Sequence, residues 1–533
     1  MKKTGLFKII MFVLLGMIVA TWIFSAGFFS EGSLQDLGMY SVGFFDYFSL
    51  IFGTFEFTYF LQIFILLVSI GALYGVHGKT GKYRAWIEKI VNNAKGSEFI
   101  FLIIIAFAIA ILTSVFDFGL CLFIFFPFLI SIILAMGYEK TTAIVATFGA
   151  MLVGTIGNTL GYNTSAVIND LLGIGMTQGI LFKLALFVFS LAALILYLSK
   201  VVRVKGNRKE KELEADMFIG EKISNKYSIV PLLIIFALMF VFLVLGCTNW
   251  GDGINIVNIL TILALVLVVS VFVTSCSRNK KSVITLAVIT VVCAGLAFLC
   301  FHFGTKINAF NFEDVHTAIT EFKIKLPYLH ITQTGFDTGV DKVAIFSKIF
   351  GSFQAFGSWN YAEMSIVVLV AALLLSLFYH IENKFMTMLE GAKKMLVPGL
   401  MVVVAYMVIY FAGNQMFYPT IAGLILSATS KFSVILDAIC VAIGSALHVD
   451  ILYVANYVVP QLAANEAANA TLVGIITQSI YGVTMFIAPT SAFLVLGLTY
   501  LDIPYKEWVK KTWKLVVALL IIVIAILLLA KFL

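Results

Sequence analysis

Apolar residues in this chain fall into long runs parted by short polar segments, not into the alternation of a surface helix or strand. The runs reach about 20 residues, the length at which an α-helix crosses the hydrocarbon core of a bilayer. They predict full spans at 6–28, 57–76, 141–176, 179–200, 228–247, 255–275, 283–303, 361–380, 396–414, 467–500 and 512–533. Two further apolar stretches, 99–137 and 432–462, are each interrupted midway by polar residues and predict re-entrant helical hairpins. The expected fold class is an all-α polytopic membrane protein with about 11 transmembrane spans, two such hairpins and two broken helices. Segment 82–93 (KYRAWIEKIVNN) has amphipathic spacing instead and predicts a helix lying on the inner surface.

Composition agrees with this pattern. Of 533 residues, 61% are hydrophobic and 12% charged, with a mean hydropathy of +1.06, where a soluble chain carries about 25% charged residues. A soluble enzyme, a nucleic-acid reader and a disordered scaffold are excluded. The six cysteines show neither CxxC nor Cys/His spacing, so they read as inert thiols, and no metal or cofactor is expected.

Charge sets the topology. With Met1 inside, 27 of the 35 Lys and Arg fall on one side and seven on the other, with Lys183 inside a span. That asymmetry is the positive-inside pattern and places the basic loops in the cytoplasm. Lys2 and Lys3 precede an apolar run, as in a signal peptide, but the run's length and the spans that follow favour an uncleaved first helix. The N-terminus is then cytoplasmic and the C-terminus extracellular. Only four basic residues are Arg, a lysine bias that hints at an A+T-rich bacterial genome and so at a bacterial cytoplasmic membrane. The layout is a first transmembrane half, 1–200, with hairpin 99–137 and broken helix 141–176. A cytoplasmic connector, 201–227, additional transmembrane helices, 228–303, and an extracellular insertion, 304–360, follow. The second half, 361–533, holds hairpin 432–462 and broken helix 467–500.

One pattern occurs twice. Thr113-Ser114-Val115-Phe116-Asp117 interrupts the first hairpin, with Pro127 ten residues after Asp117. Ser445-Ala446-Leu447-His448-Val449-Asp450 interrupts the second, with Pro460 ten residues after Asp450. Downstream lie GTIGNTLGYNTSA (Gly154 to Ala166) and GVTMFIAPTSA (Gly482 to Ala492), which align Asn163-Thr164-Ser165-Ala166 with Pro489-Thr490-Ser491-Ala492. The charge topology has the first hairpin entering from inside and the second from outside, the inverted repeat of a secondary transporter with its site near the bilayer midplane. Non-helical backbone at that depth persists only where protein or a water-filled cavity satisfies it. Gly154, Gly157, Gly161 and Pro489 favour the unwinding. The freed amides and half-helix N-termini are then available to an anionic group, and carbonyls and hydroxyls to a cation.

At these residues the chain resembles the C4-dicarboxylate anaerobic carrier family in its YfcC-like branch, which takes in arginine/ornithine antiporters, within the ion-transporter superfamily. The similar stretches are Ile70 to Gly81 (IGALYGVHGKTG), Gly157 to Lys183, Ala355 to Glu363 (AFGSWNYAE), Phe385 to Met395 (FMTMLEGAKKM) and Ala488 to Lys511 (APTSAFLVLGLTYLDIPYKEWVKK). The resemblance implies uptake or exchange of small carboxylate-bearing metabolites, two hairpins and two broken helices around the site, and a homodimer. The chain departs from the family pattern at Phe116-Asp117-Phe118-Gly119-Leu120, at Leu447-His448-Val449-Asp450-Ile451 and at Tyr162-Asn163-Thr164.

The candidate substrate- or ion-binding residues are Asn158, Thr159, Asn163, Thr164, Ser165, Thr490 and Ser491; Ser and Thr in such places also serve as helix–helix glue. Asp117 and Asp450 are ionisable groups in apolar stretches, which either face a cavity on an ion path or cap helices near an interface. With His448, which either shares the proton of Asp450 or is structural, they are the ion-coupling candidates, for H⁺ or Na⁺. Lys183 either meets substrate or snorkels to the outer boundary. The leading function is a secondary active transporter, symporter or antiporter, for an amino acid or C4-dicarboxylate; the chain carries no Walker sequence for ATP. Its partners are then a small-molecule substrate and the lipid bilayer, with no nucleic acid. The alternative is a membrane-embedded enzyme acting on a lipid-linked substrate, which would need a nucleophile or metal motif that the chain does not contain. A channel is a third reading, poorly matched to repeated helix breaks.

Overall fold

The structure, a computed structural model, describes residues 4–30, 33–202, 218–220, 227–250, 258–263, 265, 295, 311–332, 335–429, 432–464 and 469–532. By internal contacts the chain divides into two units, Met1–Phe236 with Val368–Leu533, and Ala237–Val367. Helices dominate both. Among the described residues seven are long and apolar enough to cross a membrane: Thr58–Lys79, Glu98–Phe116, Ile180–Val201, Val230–Cys247, Tyr361–Phe378, Lys384–Gln415 and Tyr505–Phe532. The expected spans 255–275 and 283–303 lie largely outside the described residues.

In the first unit, helices Thr58–Lys79 and Lys384–Gln415 pack along much of their length. Their backbones touch because neither carries a side chain at the crossing. A Cβ on Gly75 would stand 2.6 Å from Gly391 Cα, and one on Gly391 2.3 Å from the Gly71 carbonyl oxygen. Small residues serve this purpose where lipid-like surroundings give apolar faces little drive to associate. Two of the stretches on which the family resemblance rests, Ile70 to Gly81 and Phe385 to Met395, thus meet in space. Segment 82–93 is a helix, Lys82–Asn93, that starts after Gly81 in the left-handed region and buries Tyr83, Trp86, Ile87 and Ile90.

Each interrupted apolar stretch forms a hairpin. The first comprises Glu98–Phe116 and Phe126–Ala135, joined through a 3₁₀ turn at Gly119–Ile124. The second comprises Val434–His448 and Ile451–Ala463. Both first arms end on a residue with left-handed φ, 55° at Asp117 and 51° at Val449. For β-branched Val449 that conformation is strained. Each hairpin is followed by a helix broken in its middle. The first broken helix runs Lys140–Ile144, a π-helical turn Val145–Gly149, and Ala150–Ile156, then resumes through a second π-helical turn, Tyr162–Ala166, into Val167–Leu172. The second runs Ala470–Met485 and resumes at Ala492–Leu501. Gly157 sits where the first chain leaves the helix, and a Cβ there would meet Phe187 Cα at 2.4 Å.

The fold is the expected helical one and carries two antiparallel β-hairpins besides, which pair Ala26–Ser30 with Ser33–Gly38 and Lys323–Thr332 with Gly335–Ala344. One expected span needs correction: the first helix stops at Thr21 rather than continuing to residue 28. The Thr21 hydroxyl donates to the Ile18 carbonyl, and Gly27 N–H is drawn off to the Met416 carbonyl at 3.0 Å, so the apolar run leaves the helix for the sheet. In the second unit, Trp250, Phe312, Phe356 and Trp359 touch in sequence, the first two contacts edge-on and the third tilted, and Gly357 and Trp359 donate their N–H groups to the Gly246 carbonyl.

Replacing Gly391 by Val is expected to separate the two long helices and cost about 1–3 kcal/mol by overpacking. A thermal melt of the detergent-purified variant checks this; an unchanged midpoint would contradict the close crossing.

Candidate functional site

The two breaks pose one problem, backbone without helical partners, and solve it with side chains and carbonyls of the neighbouring hairpin. At the first break the Ser114 carbonyl accepts from Thr159 N–H at 2.8 Å, from the Thr159 hydroxyl at 3.1 Å and from Leu160 N–H at 3.3 Å. The Ser114 hydroxyl donates to the Gly157 carbonyl at 2.7 Å. Asn158, fully buried, holds the loop together from inside. Its Oδ1 accepts from Gly161 N–H at 3.0 Å, and its Nδ2 donates to the Thr113 carbonyl at 3.3 Å. The second break uses the same device: the Thr490 hydroxyl donates to the Ala446 carbonyl at 2.8 Å.

This geometry shifts the register of the repeat. Ser114 and Ala446 occupy matching places, each three residues before the left-handed residue that ends its arm. Thr159 and Thr490 make the same bond to them across 45 and 44 residues of chain. Thr490 therefore corresponds to Thr159, not to Thr164 as the sequence alignment has it. The Asn163-Thr164-Ser165-Ala166 string resembles Pro489-Thr490-Ser491-Ala492 in letters and lies several residues further along in structure.

The half-helix N-termini are not vacant. The Asp117 carboxylate accepts from the Thr164 backbone N–H, so it caps the resumed first helix from across the break. Asn163, exposed, turns its amide toward the Asp117 carbonyl at 3.5 Å. In the second break the Ser491 hydroxyl caps the resumed helix by accepting from Leu494 N–H at 3.4 Å. Asp450 caps its own hairpin arm through Leu452 N–H at 2.9 Å and receives the Tyr59 hydroxyl at 3.0 Å. Each aspartate thus accepts a backbone N–H at a helix start, and Asp450 holds the Tyr59 hydroxyl as well.

His448 does not share a proton with Asp450 in this structure. Its ring stacks on Tyr457 at 4.7 Å and meets the edge of Tyr418, and both ring nitrogens lack a hydrogen-bond partner among the described residues. The neighbouring Ser445 hydroxyl, one turn back on the same arm, also has none. Two buried polar groups at one hairpin tip are thus left unsatisfied, an arrangement that is costly in a low-dielectric interior.

Sequence reasoning did not include Gln478, which lies on the second broken helix. Its Nε2 donates to the Asn158 carbonyl at 3.0 Å, and its Oε1 is 3.2 Å from the Ser165 hydroxyl, which also lies 2.7 Å from Asn158 Oδ1. The two halves of the molecule are therefore stitched together at the first break. A lone glutamine in the apolar run TLVGIITQSIYGV is the signal that was available. Lys183 joins the same cluster. It is 2% exposed and points inward, donating to Ser165 Oγ at 3.2 Å, so it does not snorkel outward. Among the described residues it has no carboxylate partner. A buried ammonium without a counter-charge is expensive unless something anionic completes the site.

Three comparisons bear on this arrangement. The family model for DcuC, the C4-dicarboxylate anaerobic carrier, matches residues 4–299 and 284–532. Over 138 residues the chain is 25% identical to an uncharacterised protein of Haemophilus influenzae, a match that spans 26% of this chain and 27% of that relative's length. The crystal structure of the YdaH transporter of Alcanivorax borkumensis aligns with 100% of this chain and 99% of its own, at 12% identity and a TM-score of 0.37. Matched along nearly its whole length by the first of these, the chain belongs to the DcuC family of C4-dicarboxylate anaerobic carriers.

Proposed function

We propose that the protein moves a small carboxylate-bearing metabolite, a C4-dicarboxylate foremost, across a bacterial cytoplasmic membrane by alternating access. Its N-terminus is cytoplasmic and its C-terminus extracellular in this reading, and it works as a homodimer. The substrate sits at the first helix break, between Lys183, Ser165 and Gln478.

The observation that carries this reading is the Lys183 ammonium, buried beside Ser165 with no carboxylate against it among the described residues. The name of the family points the same way. A cationic or zwitterionic ligand, which an aspartate at each hairpin tip would suit, is less well supported. The Asp117 and Asp450 carboxylates already accept backbone N–H groups, so neither stands as a free counter-charge. The half-helix N-termini are likewise engaged, which leaves the lysine as the anchor for an anion. A substrate carboxylate would complete the coordination of Nζ, which has three donors and, among the described residues, spends one on Ser165.

Movement follows from the stitching. Asn158 and Ser165 belong to the first broken helix and Gln478 to the second, so a ligand seated among them touches both halves. Binding energy spent there can bias one packing of the halves over another. Should the coupling ion be H⁺ rather than Na⁺, His448 is better placed than either aspartate, because its two ring nitrogens have no hydrogen-bond partner among the described residues.

Lys183→Met is expected to weaken C4-dicarboxylate binding roughly ten- to hundredfold, the worth of a charge-assisted hydrogen bond of about 1.5–3 kcal/mol. A thermal-shift screen of wild type and variant against succinate and against amino acids reads this directly. Stabilisation of wild type by amino acids alone, or of both proteins equally by succinate, would refute the anion site.

Asp117→Asn, Asn163→Ala, Ser491→Ala and Gln478→Leu are each expected to abolish counterflow in proteoliposomes while the protein still inserts. The breaks would then be held in altered geometry. Normal exchange by all four variants would remove the breaks from the mechanism, and uptake without trans-stimulation would indicate a channel.

A further inference from the structure

A cavity of about 860 Å³ lies away from the helix breaks, between helices Ile180–Val202 and Tyr505–Phe532 and the turn that precedes Lys140. Its mouth is basic and its wall is apolar. Lys200, Lys510, Lys511 and Lys514 surround the opening, while Ala193, Leu196, Ala518 and Ile522 line the depth beneath it. The four lysines are not equivalent. Lys511 is already neutralised, at 2.9 Å from both Glu139 and Glu507, and its ammonium also reaches the Thr141 hydroxyl. Lys200 and Lys510 form no ion pair among the described residues, and Lys514 rests only over the ring of Trp513, at 5.6 Å.

We propose that this groove binds one anionic phospholipid, with its phosphate among Lys200, Lys510 and Lys514 and an acyl chain along Ala193, Leu196 and Ile522. Four ammoniums against the carboxylates of Glu139 and Glu507 leave the rim net positive among the described residues, which asks for a phosphodiester headgroup, and an apolar wall directly below asks for hydrocarbon on the same molecule. A soluble anion satisfies the first demand and not the second. Trp513, half-exposed at the mouth, is suited to the headgroup boundary, where an indole finds one wet and one apolar side. The positive-inside pattern places this end of both helices on the cytoplasmic side, where juxtamembrane lysines meet anionic lipid. The site packs Tyr197, whose hydroxyl donates to the Lys511 carbonyl at 3.0 Å, so the two helices are already pinned at its edge. A lipid wedged there would fix their spacing further.

The test offers delipidated wild-type protein phosphatidylglycerol and phosphatidylcholine vesicles of equal chain length and counts retained lipid by native mass spectrometry. Two variants are compared, the triple Lys200→Gln, Lys510→Gln, Lys514→Gln protein and Ala193→Trp, which fills the apolar wall and leaves every lysine. Wild type is expected to retain phosphatidylglycerol over phosphatidylcholine, and each variant to lose that retention several-fold. If the triple variant fails to insert, Ala193→Trp alone decides. Equal retention of the two lipids by wild type, or unchanged phosphatidylglycerol retention in Ala193→Trp, would overturn the proposal. So would displacement of the lipid by inorganic phosphate alone, or a loss of dimer mass in Ala193→Trp with lipid retention intact, which would assign the groove to a second copy of the chain.

Discussion

Unpaired backbone at membrane depth is the constraint on which the rest of this structure depends. Each peptide group released from a helix there must find a partner within the protein, since leaving it bare costs several kcal/mol, on the order of a whole domain's margin when summed over a break. The chain meets the demand through its hairpins. The carbonyl of Ser114 alone receives three donors from the first break, and the Ser114 hydroxyl returns a bond to Gly157. Asn158 then closes the loop on itself. The outcome is a polar loop whose resumed helix is capped by the Asp117 carboxylate. Under the proposed function, Lys183 beside it receives the substrate's carboxylate.

The two repeats solve the problem alike and use it differently. Thr159 and Thr490 perform the same task, donating to the carbonyl three residues before a left-handed hairpin tip. Beyond that bond they diverge. The first tip carries Asp117, which reaches across to cap the resumed helix, whereas the matching tip residue of the second is Val449, and capping falls to Ser491 and Asp450. Lysine and glutamine gather at the first break; at the second tip lie a histidine and a serine whose polar side-chain atoms have no hydrogen-bond partner among the described residues. Under the proposed function, the first repeat holds the solute and the second takes up the ion.

Much of the fold was legible because hydrophobic run length and polar interruption are local signals. The interruptions at Thr113 to Asp117 and Ser445 to Asp450, and the glycines and proline that follow, are visible without knowing any contact. Register within the repeat was not, because matching letters at Thr164-Ser165 and Thr490-Ser491 outweighed a bond pattern that exists only in three dimensions. The β-hairpin after Thr21 was hidden by an apolar run that reads as membrane helix until Met416, far along the chain, takes the Gly27 amide. Gln478 was passed over for a similar reason, since one polar residue in an apolar helix becomes meaningful only beside Asn158 and Ser165. The same holds for Lys183, whose inward turn depends on Ser165 across the turn that joins the two helices.

The most direct measurement is an experimental structure of the protein in lipid nanodiscs with succinate bound. Residues 157–161 should remain non-helical, and one succinate carboxylate should lie within hydrogen-bond distance of the Lys183 ammonium and the Ser165 hydroxyl. A helix continuous through that segment, or succinate seated elsewhere with Lys183 turned to solvent, would contradict the account.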